Sequence, residues 1–207
     1  MKYPQNIAEI ANLKPDLMGF IFYRNSARYI GNQLSKATFQ SIPKSTKKVA
    51  VFVNESIEKI QEIYETYLFD FIQLHGNETS EFCRKLKSKD IKIIKAFAVN
   101  EDFDFTKLAD FEAYCELFLF DTKGIYFGGN GQSFDWNLLQ KYHLNTPFFL
   151  SGGIGLENIQ AALNYKHPLL FGVDLNSRLE LKQTLKSVEI TEQIFKTIRT
   201  YEQYSSR

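Results

Sequence analysis

Two short apolar stretches near the C-terminal end run straight into small, hydrogen-bonding residues, a pattern that suits a phosphate. The first, residues 148–150, leads into Ser151-Gly152-Gly153-Ile154-Gly155, and the second, residues 169–173, leads into Asp174-Leu175-Asn176-Ser177. Glycines let the backbone come close to an anion, and the opening N–H groups of a helix expected over residues 156–164 can point at it. Asn176 and Ser177 are suited to capping a second, short helix. A lone Gly-Gly-x-Gly reads as well as a tight turn. Two adjacent strand-to-helix junctions at the end of a strand–helix series instead match the phosphate site built by the last two loops of a (β/α)8 barrel. The expected phosphate-binding residues are Gly152, Gly153, Asn176 and Ser177.

In such a barrel the reactive groups come from the carboxyl ends of the strands. Asp121 follows Leu117-Phe118-Leu119-Phe120, which sets its carboxyl at the mouth against apolar neighbours. Burial there would raise its pKa and favour a general acid; a helix-capping or loop aspartate is the competing reading. Arg28, in Ser26-Ala27-Arg28-Tyr29, is either a guanidinium that binds a carboxylate or phosphate bidentately or a surface arginine. His75, at the end of Gln73-Leu74-His75-Gly76, is either a base or a hydrogen-bonding wall residue. Asp135 and Trp136 read as a helix N-cap and a core aromatic, and Gly128-Gly129-Asn130-Gly131 reads as a loop beside the mouth able to act as a lid.

The elements that must position these residues alternate along the whole chain. Strands are expected over residues 17–22, 49–53, 69–73, 91–96, 117–120, 148–150 and 169–173. Helices are expected over residues 4–13, 35–42, 56–66, 78–88, 105–114, 136–141, 156–164 and 190–204. Alternation of this kind means a parallel sheet covered on both faces. The series opens with a helix that has no strand before it, whereas a closed barrel of this class needs eight strands. Either the sheet is open or its first strand is missing.

Length and composition agree with one domain over residues 1–207. The chain has 44% hydrophobic and 24% charged residues, and 25 basic against 24 acidic side chains leave a net charge of +1. No basic block recommends nucleic acid, and neither the start of the chain nor the apolar run over residues 17–22 is long enough for a membrane span or signal core. A cytoplasmic location follows as the expectation. Cys83 and Cys115 lack a CxxC spacing, read as packed thiols, and support neither a disulfide framework nor a metal site.

Several stretches together resemble phosphoribosylanthranilate isomerases. They are Gly19-Phe20-Ile21-Phe22-Tyr23 with Ser26-Ala27-Arg28-Tyr29, Val51-Phe52-Val53-Asn54, Gln73-Leu74-His75-Gly76, Phe120-Asp121, the run from Gly128 to Trp136, Leu150-Ser151-Gly152-Gly153 and Gly172-Val173-Asp174. They occur in the family's order and cover nearly the whole chain. The resemblance implies a (β/α)8 TIM barrel, with about seven strands present here. It also implies the isomerisation of N-(5-phosphoribosyl)anthranilate to 1-(2-carboxyphenylamino)-1-deoxyribulose 5-phosphate in tryptophan biosynthesis. That Amadori rearrangement needs no cofactor. The resemblance makes Asp121 the general acid and Arg28 the holder of the anthranilate end. It sets Asp174 beside the substrate and the phosphate on Gly153, Asn176 and Ser177, with Gly152 added by the loop reading above; His75 is expected at the substrate, either acting or lining the pocket. The expected partner is a small phosphosugar, bound by a monomer or homodimer.

The departures are specific. Family members begin with a strand of the form Lys-Ile-Lys-x-Cys-Gly-Met whose cysteine is the general base. Here Met1-Lys2-Tyr3-Pro4 fits from that motif's final methionine, so the expectation is that the natural start lies upstream. The alternative is a truncated barrel that binds a phosphosugar without efficient turnover. A different phosphosugar enzyme on the same scaffold is a third possibility, opposed by the anthranilate-side residues. Ala27 stands where the family usually has proline, Arg178 where it usually has glycine, and the Pro-Gly-x-Lys-Asp that usually follows is absent from residues 181–187.

Overall fold

The computed structural model describes residues 1–31, 35–122 and 134–205. The expected lid over residues 128–131 lies outside them. Seven parallel strands form one sheet in chain order: β1 (Leu17–Ile21), β2 (Lys47–Phe52), β3 (Phe71–Leu74), β4 (Ile93–Val99), β5 (Leu117–Thr122), β6 (Phe148–Leu150) and β7 (Leu170–Val173). Neighbour-to-neighbour order with helical crossovers is the winding of a TIM barrel. Among the described residues no ladder joins β1 to β7, so the expected seven-stranded, unclosed barrel is what is seen.

The helices are α1 (Pro4–Asn12) before β1, α2 (Lys36–Gln40), α3 (Ile57–Tyr67), α4 (Ser80–Lys87), α5 (Ala109–Glu112) and α6 (Ile159–Asn164) between strands, and α7 (Val188–Ser205) at the end. Ser56 and Thr79 start α3 and α4 by accepting the amides of Lys59 and Phe82, the usual service of an N-cap hydroxyl. The segment expected as helix 105–114 is a 3-10 turn (Phe105–Leu108) running into the short α5, and 136–141 is also 3-10. Asp135 caps the latter through the Asn137 amide, as expected.

Strand residues alternate between two cores. Phe20, Phe52, Ile72, Leu74, Phe118, Phe120 and Phe148 face the helices and are fully buried. Truncating one such phenylalanine to alanine costs roughly 3–5 kcal/mol. The opposite set, Val49, Val51, Ile94, Ala96, Leu117 and Leu119, fills the barrel interior. Toward the open side the filling thins: Leu17, Ile21 and Phe149 are only partly buried, and Phe171 is 59% exposed.

One element was not expected. Residues 180–186 form an antiparallel hairpin, β8 (Glu180–Lys182) with β9 (Leu185–Lys186), turned through Thr184 at φ 74°. Asn6 of α1 grips it by exchanging two 2.9 Å hydrogen bonds with the Lys186 backbone. Cys83 and Cys115 are buried in the core between sheet and helices.

Candidate active site

The carboxyl ends of β2, β3 and β4 are tied together by a buried lysine. Lys95, 2% exposed in an otherwise apolar strand, donates to the carbonyls of Leu74 (3.2 Å), Gly76 (2.8 Å) and Ala96 (3.1 Å) and to Glu78 Oε2 (3.1 Å). Glu78 in turn accepts the amides of Asn54 (2.8 Å) and Gly76 (3.0 Å). Both carbonyls that flank His75 in the chain are thus held by one ammonium. Gly76 has no alternative here, because a Cβ on it would lie 2.5 Å from Asn54 Oδ1.

So anchored, His75 turns its ring into the mouth. The Gln73 amide nitrogen lies 2.8 Å from Nδ1, and with Gln73 donating, the ring proton sits on Nε2. That Nε2 faces Asp121 Oδ2 at 3.4 Å. Asp121 is 6% exposed, and its Oδ1 accepts the Thr122 amide at 2.8 Å. Two residues singled out in the sequence are therefore in contact.

Across the mouth, Ser151 Oγ donates to Asp174 Oδ2 at 2.8 Å. Burial pushes the Asp174 carboxyl above the usual carboxylate range. The Ser151 hydrogen bond works against that, the nearby Asp121 charge adds to it, and His75 and Lys186 oppose it. Asp174 thus shares one electrostatic site with Asp121 and His75.

The phosphate-side loop differs from its expected form. Gly152 and Gly153 take φ values of 97° and 61°, which L side chains rarely adopt. The Asn158 side chain then closes the loop, accepting from the Gly155 amide (2.8 Å) and donating to the Gly153 carbonyl (3.1 Å). Helix α6 consequently starts at Ile159 instead of 156. Asn176 does not cap by its side chain either: its carbonyl and its Oδ1 both accept from Lys186 Nζ at 2.6 Å. Ser177 opens a 3-10 turn, Ser177–Leu179, that includes Arg178, so the left-handed position of this stretch is Thr184 and not the arginine. The two loops touch, since a Cβ on Gly155 would lie 2.8 Å from Arg178 Cβ, and Arg178 pairs with Glu157 at 3.2 Å.

Arg28 is held by the hairpin. Its Nε lies 3.0 Å from both Glu180 carboxylate oxygens and its Nη2 lies 2.7 Å from Oε2. Burial pushes Lys186 down to about 8, with Glu180 opposing and Arg28 reinforcing. Four residues that matter here were missed in the sequence: Lys95, Glu78, Glu180 and Lys186. Lys95 had a readable signal, a lone charge inside Ile93-Ile94-Lys95-Ala96-Phe97. Glu78 sits among polar neighbours, where a charged residue ordinarily marks solvent, while Glu180 and Lys186 stand beside leucines over too few residues for a pattern to be read. Among the described residues no three His, Cys, Asp or Glu side chains are grouped as a metal site.

Residues 1–197 match the family model described as N-(5'phosphoribosyl)anthranilate (PRA) isomerase. An N-(5'-phosphoribosyl)anthranilate isomerase of Parabacteroides distasonis is 43% identical over 190 residues, covering 91% of this chain and 86% of that relative. The crystal structure of the enzyme from Thermotoga maritima is 29% identical and superposes with a TM-score of 0.83, covering 97% of this chain and 96% of that one. A phosphoribosyl anthranilate isomerase in complex with reduced 1-(o-carboxyphenylamino)-1-deoxyribulose 5-phosphate is 27% identical, with a TM-score of 0.77 over 97% of this chain and 95% of that one. Sequence, sheet order and mouth residues converge, and this chain belongs to the N-(5'-phosphoribosyl)anthranilate isomerase family.

Proposed function

We propose that Asp121 is the general acid in the isomerisation of N-(5-phosphoribosyl)anthranilate, the tryptophan-biosynthetic reaction of the family. In the same reading Arg28 holds the anthranilate carboxylate, and His75 and Asp174 line the substrate. The Gly152–Gly153 backbone, with Asn176 and Ser177, holds the phosphate. The observation that carries this reading is the contact between the Asp121 carboxyl and the His75 ring, 3.4 Å apart at the carboxyl ends of β5 and β3.

The chemistry asks for two proton transfers. Asp121 gives its proton to the furanose ring oxygen; the ring C–O bond breaks and the anilino nitrogen forms a Schiff base at C1′. A base then removes the C2′ proton, leaving an enol-amine that tautomerises to the ketone. The family's cysteine base has no counterpart at the mouth among the described residues, since Cys83 and Cys115 lie in the core between sheet and helices. By the resemblance that base belongs on a strand between the β1 and β7 edges. These steps are internal proton movements, so side chains and backbone supply what they need.

We further propose that residues 1–207 work as one domain, acting in the cytoplasm as a monomer or homodimer. No helix among the described residues is long and apolar enough to cross a membrane.

Loss of phosphoribosylanthranilate fluorescence tests the reading. The chain is assayed beside a form extended by a family-like first strand with its cysteine, and beside Asp121→Asn in whichever form is active. Turnover that needs Asp121 supports it. Folded protein that binds the reduced product but turns over in neither form supports the binding-only alternative.

A further inference from the structure

We propose that Glu180 is a positioning residue that sets this site's preference for an aromatic carboxylate by dictating which edge of the Arg28 guanidinium is left to bind it. The inference rests on the reading that Arg28 holds the anthranilate end.

A guanidinium offers five N–H donors in a rigid planar fork and can serve two carboxylates only along different edges. The Glu180 carboxylate occupies the Nε–Nη2 edge, at 3.0 and 2.7 Å. The Nη1 donors have no hydrogen-bond partner among the described residues, so the Nη1–Nη2 edge is the one open to a second carboxylate. Both side chains are restrained, with 15% exposure for Arg28 and 5% for Glu180.

Glu180 itself is fixed by the hairpin. The Thr184 amide, brought round by the left-handed φ of 74°, donates to Oε1 at 3.2 Å. Lys186 Nζ lies 3.4 Å from the same oxygen while it also holds the Asn176 carbonyl and side chain. This lysine matters for charge as well as for geometry. Arg28 and Glu180 alone would cancel, and Lys186 restores one net positive charge toward an incoming anion. The aim of Arg28 is thereby continuous, through Glu180 and Lys186, with Asn176 at the proposed phosphate end. The opposite idea is that Glu180 stands in for the substrate carboxylate and must be displaced.

Binding separates these cases without requiring turnover. Calorimetry gives Kd for two probes, the reduced product 1-(o-carboxyphenylamino)-1-deoxyribitol 5-phosphate and its phenyl counterpart lacking the carboxylate, with the parent chain, Glu180→Gln and Arg28→Met. The ratio of the two Kd values is the readout, because partial unfolding affects both probes alike. The parent prefers the carboxylate, Arg28→Met abolishes the preference, and Glu180→Gln reduces it about tenfold or more, the scale of a charge-assisted bidentate contact. If Arg28→Met abolishes the preference while Glu180→Gln changes it less than about twofold, or increases it, the proposal is overturned and the reading of Arg28 stands. If Arg28→Met leaves the preference intact, that reading itself fails and the proposal with it.

Discussion

Lys95→Met should be the most damaging single substitution at the mouth among those that touch no substrate atom. Methionine keeps the aliphatic stem, so little volume is lost and the effect isolates the charge. What disappears is an ammonium with four partners, three carbonyls and Glu78, in a pair whose side chains are 3% and 2% exposed. Removing one partner of a buried pair costs roughly 3–5 kcal/mol. For a chain of this length each kcal/mol moves Tm by roughly 2–4 °C, so the melt should fall by roughly 6–20 °C. Urea unfolding followed by circular dichroism gives the free energy directly, and amide exchange at Asn54 and Gly76, the two donors to Glu78, should quicken. The loss should also resist added salt, because buried pairs are screened much less than surface pairs such as Lys59–Glu62. A loss below about 1 kcal/mol, or one that fades with salt, would refute the view that this pair ties the strand ends together.

Other perturbations read out other parts of the site. Asp121→Asn should lower kcat/KM by roughly 10²- to 10⁴-fold in the fluorescence assay, and a loss under about tenfold would move the general acid elsewhere. For Asp174, burial raises the folded-state pKa above the unfolded one, so the stabilisation tied to its proton is complete at low pH and lost as pH rises through the folded value. Asp174→Asn should therefore melt higher than the parent at neutral pH, the gap closing on acidification; a gap independent of pH would show that burial is not the cause. Lys186 runs the other way. Its folded pKa of about 8 lies below the ordinary lysine value of 10.5, so between those values the unfolded chain binds more protons and stability rises with pH. The parent should gain on Lys186→Met across that window, and parallel pH profiles would contradict it. Cys83→Ala with Cys115→Ala should leave kcat/KM within about twofold in the active form, since both thiols are packed in the core between sheet and helices; a collapse of turnover with the fold intact would bring one of them back as a base.

The sheet was legible because a parallel strand covered on both faces must be apolar throughout. Stretches such as Leu117-Phe118-Leu119-Phe120 announce themselves, and all seven expected strands correspond to β1–β7 within a few residues. The unclosed barrel could be counted from the same signal. Helix boundaries were less readable where side chains other than the local propensity decide. Residues 156–158 belong to a loop because Asn158 bonds back to Gly153 and Gly155, and that contact depends on the two left-handed glycines before it.

The candidate site divides along a different line. Asp121, His75, Asp174 and Arg28 could be picked out because their position at strand ends carries the information. Their supports could not, because Glu78 and Glu180 earn their roles from partners distant in the chain: Glu180 meets Arg28 across 152 residues, and Asn6 meets Lys186 across 180. A charge in a polar stretch, as at Glu78, or between single leucines, as at Glu180, looks solvated until the fold brings its counter-charge. The hairpin adds a second obstacle, since β8 and β9 have three and two residues, too short for any alternation to show. Yet that hairpin holds both the guanidinium proposed for the carboxylate and the asparagine proposed for the phosphate. In this chain the spacing between the two ends of the substrate would be governed by a segment with almost no periodic signal, and substitutions at Glu180, Thr184 or Lys186 should shift substrate preference more than they shift the fold.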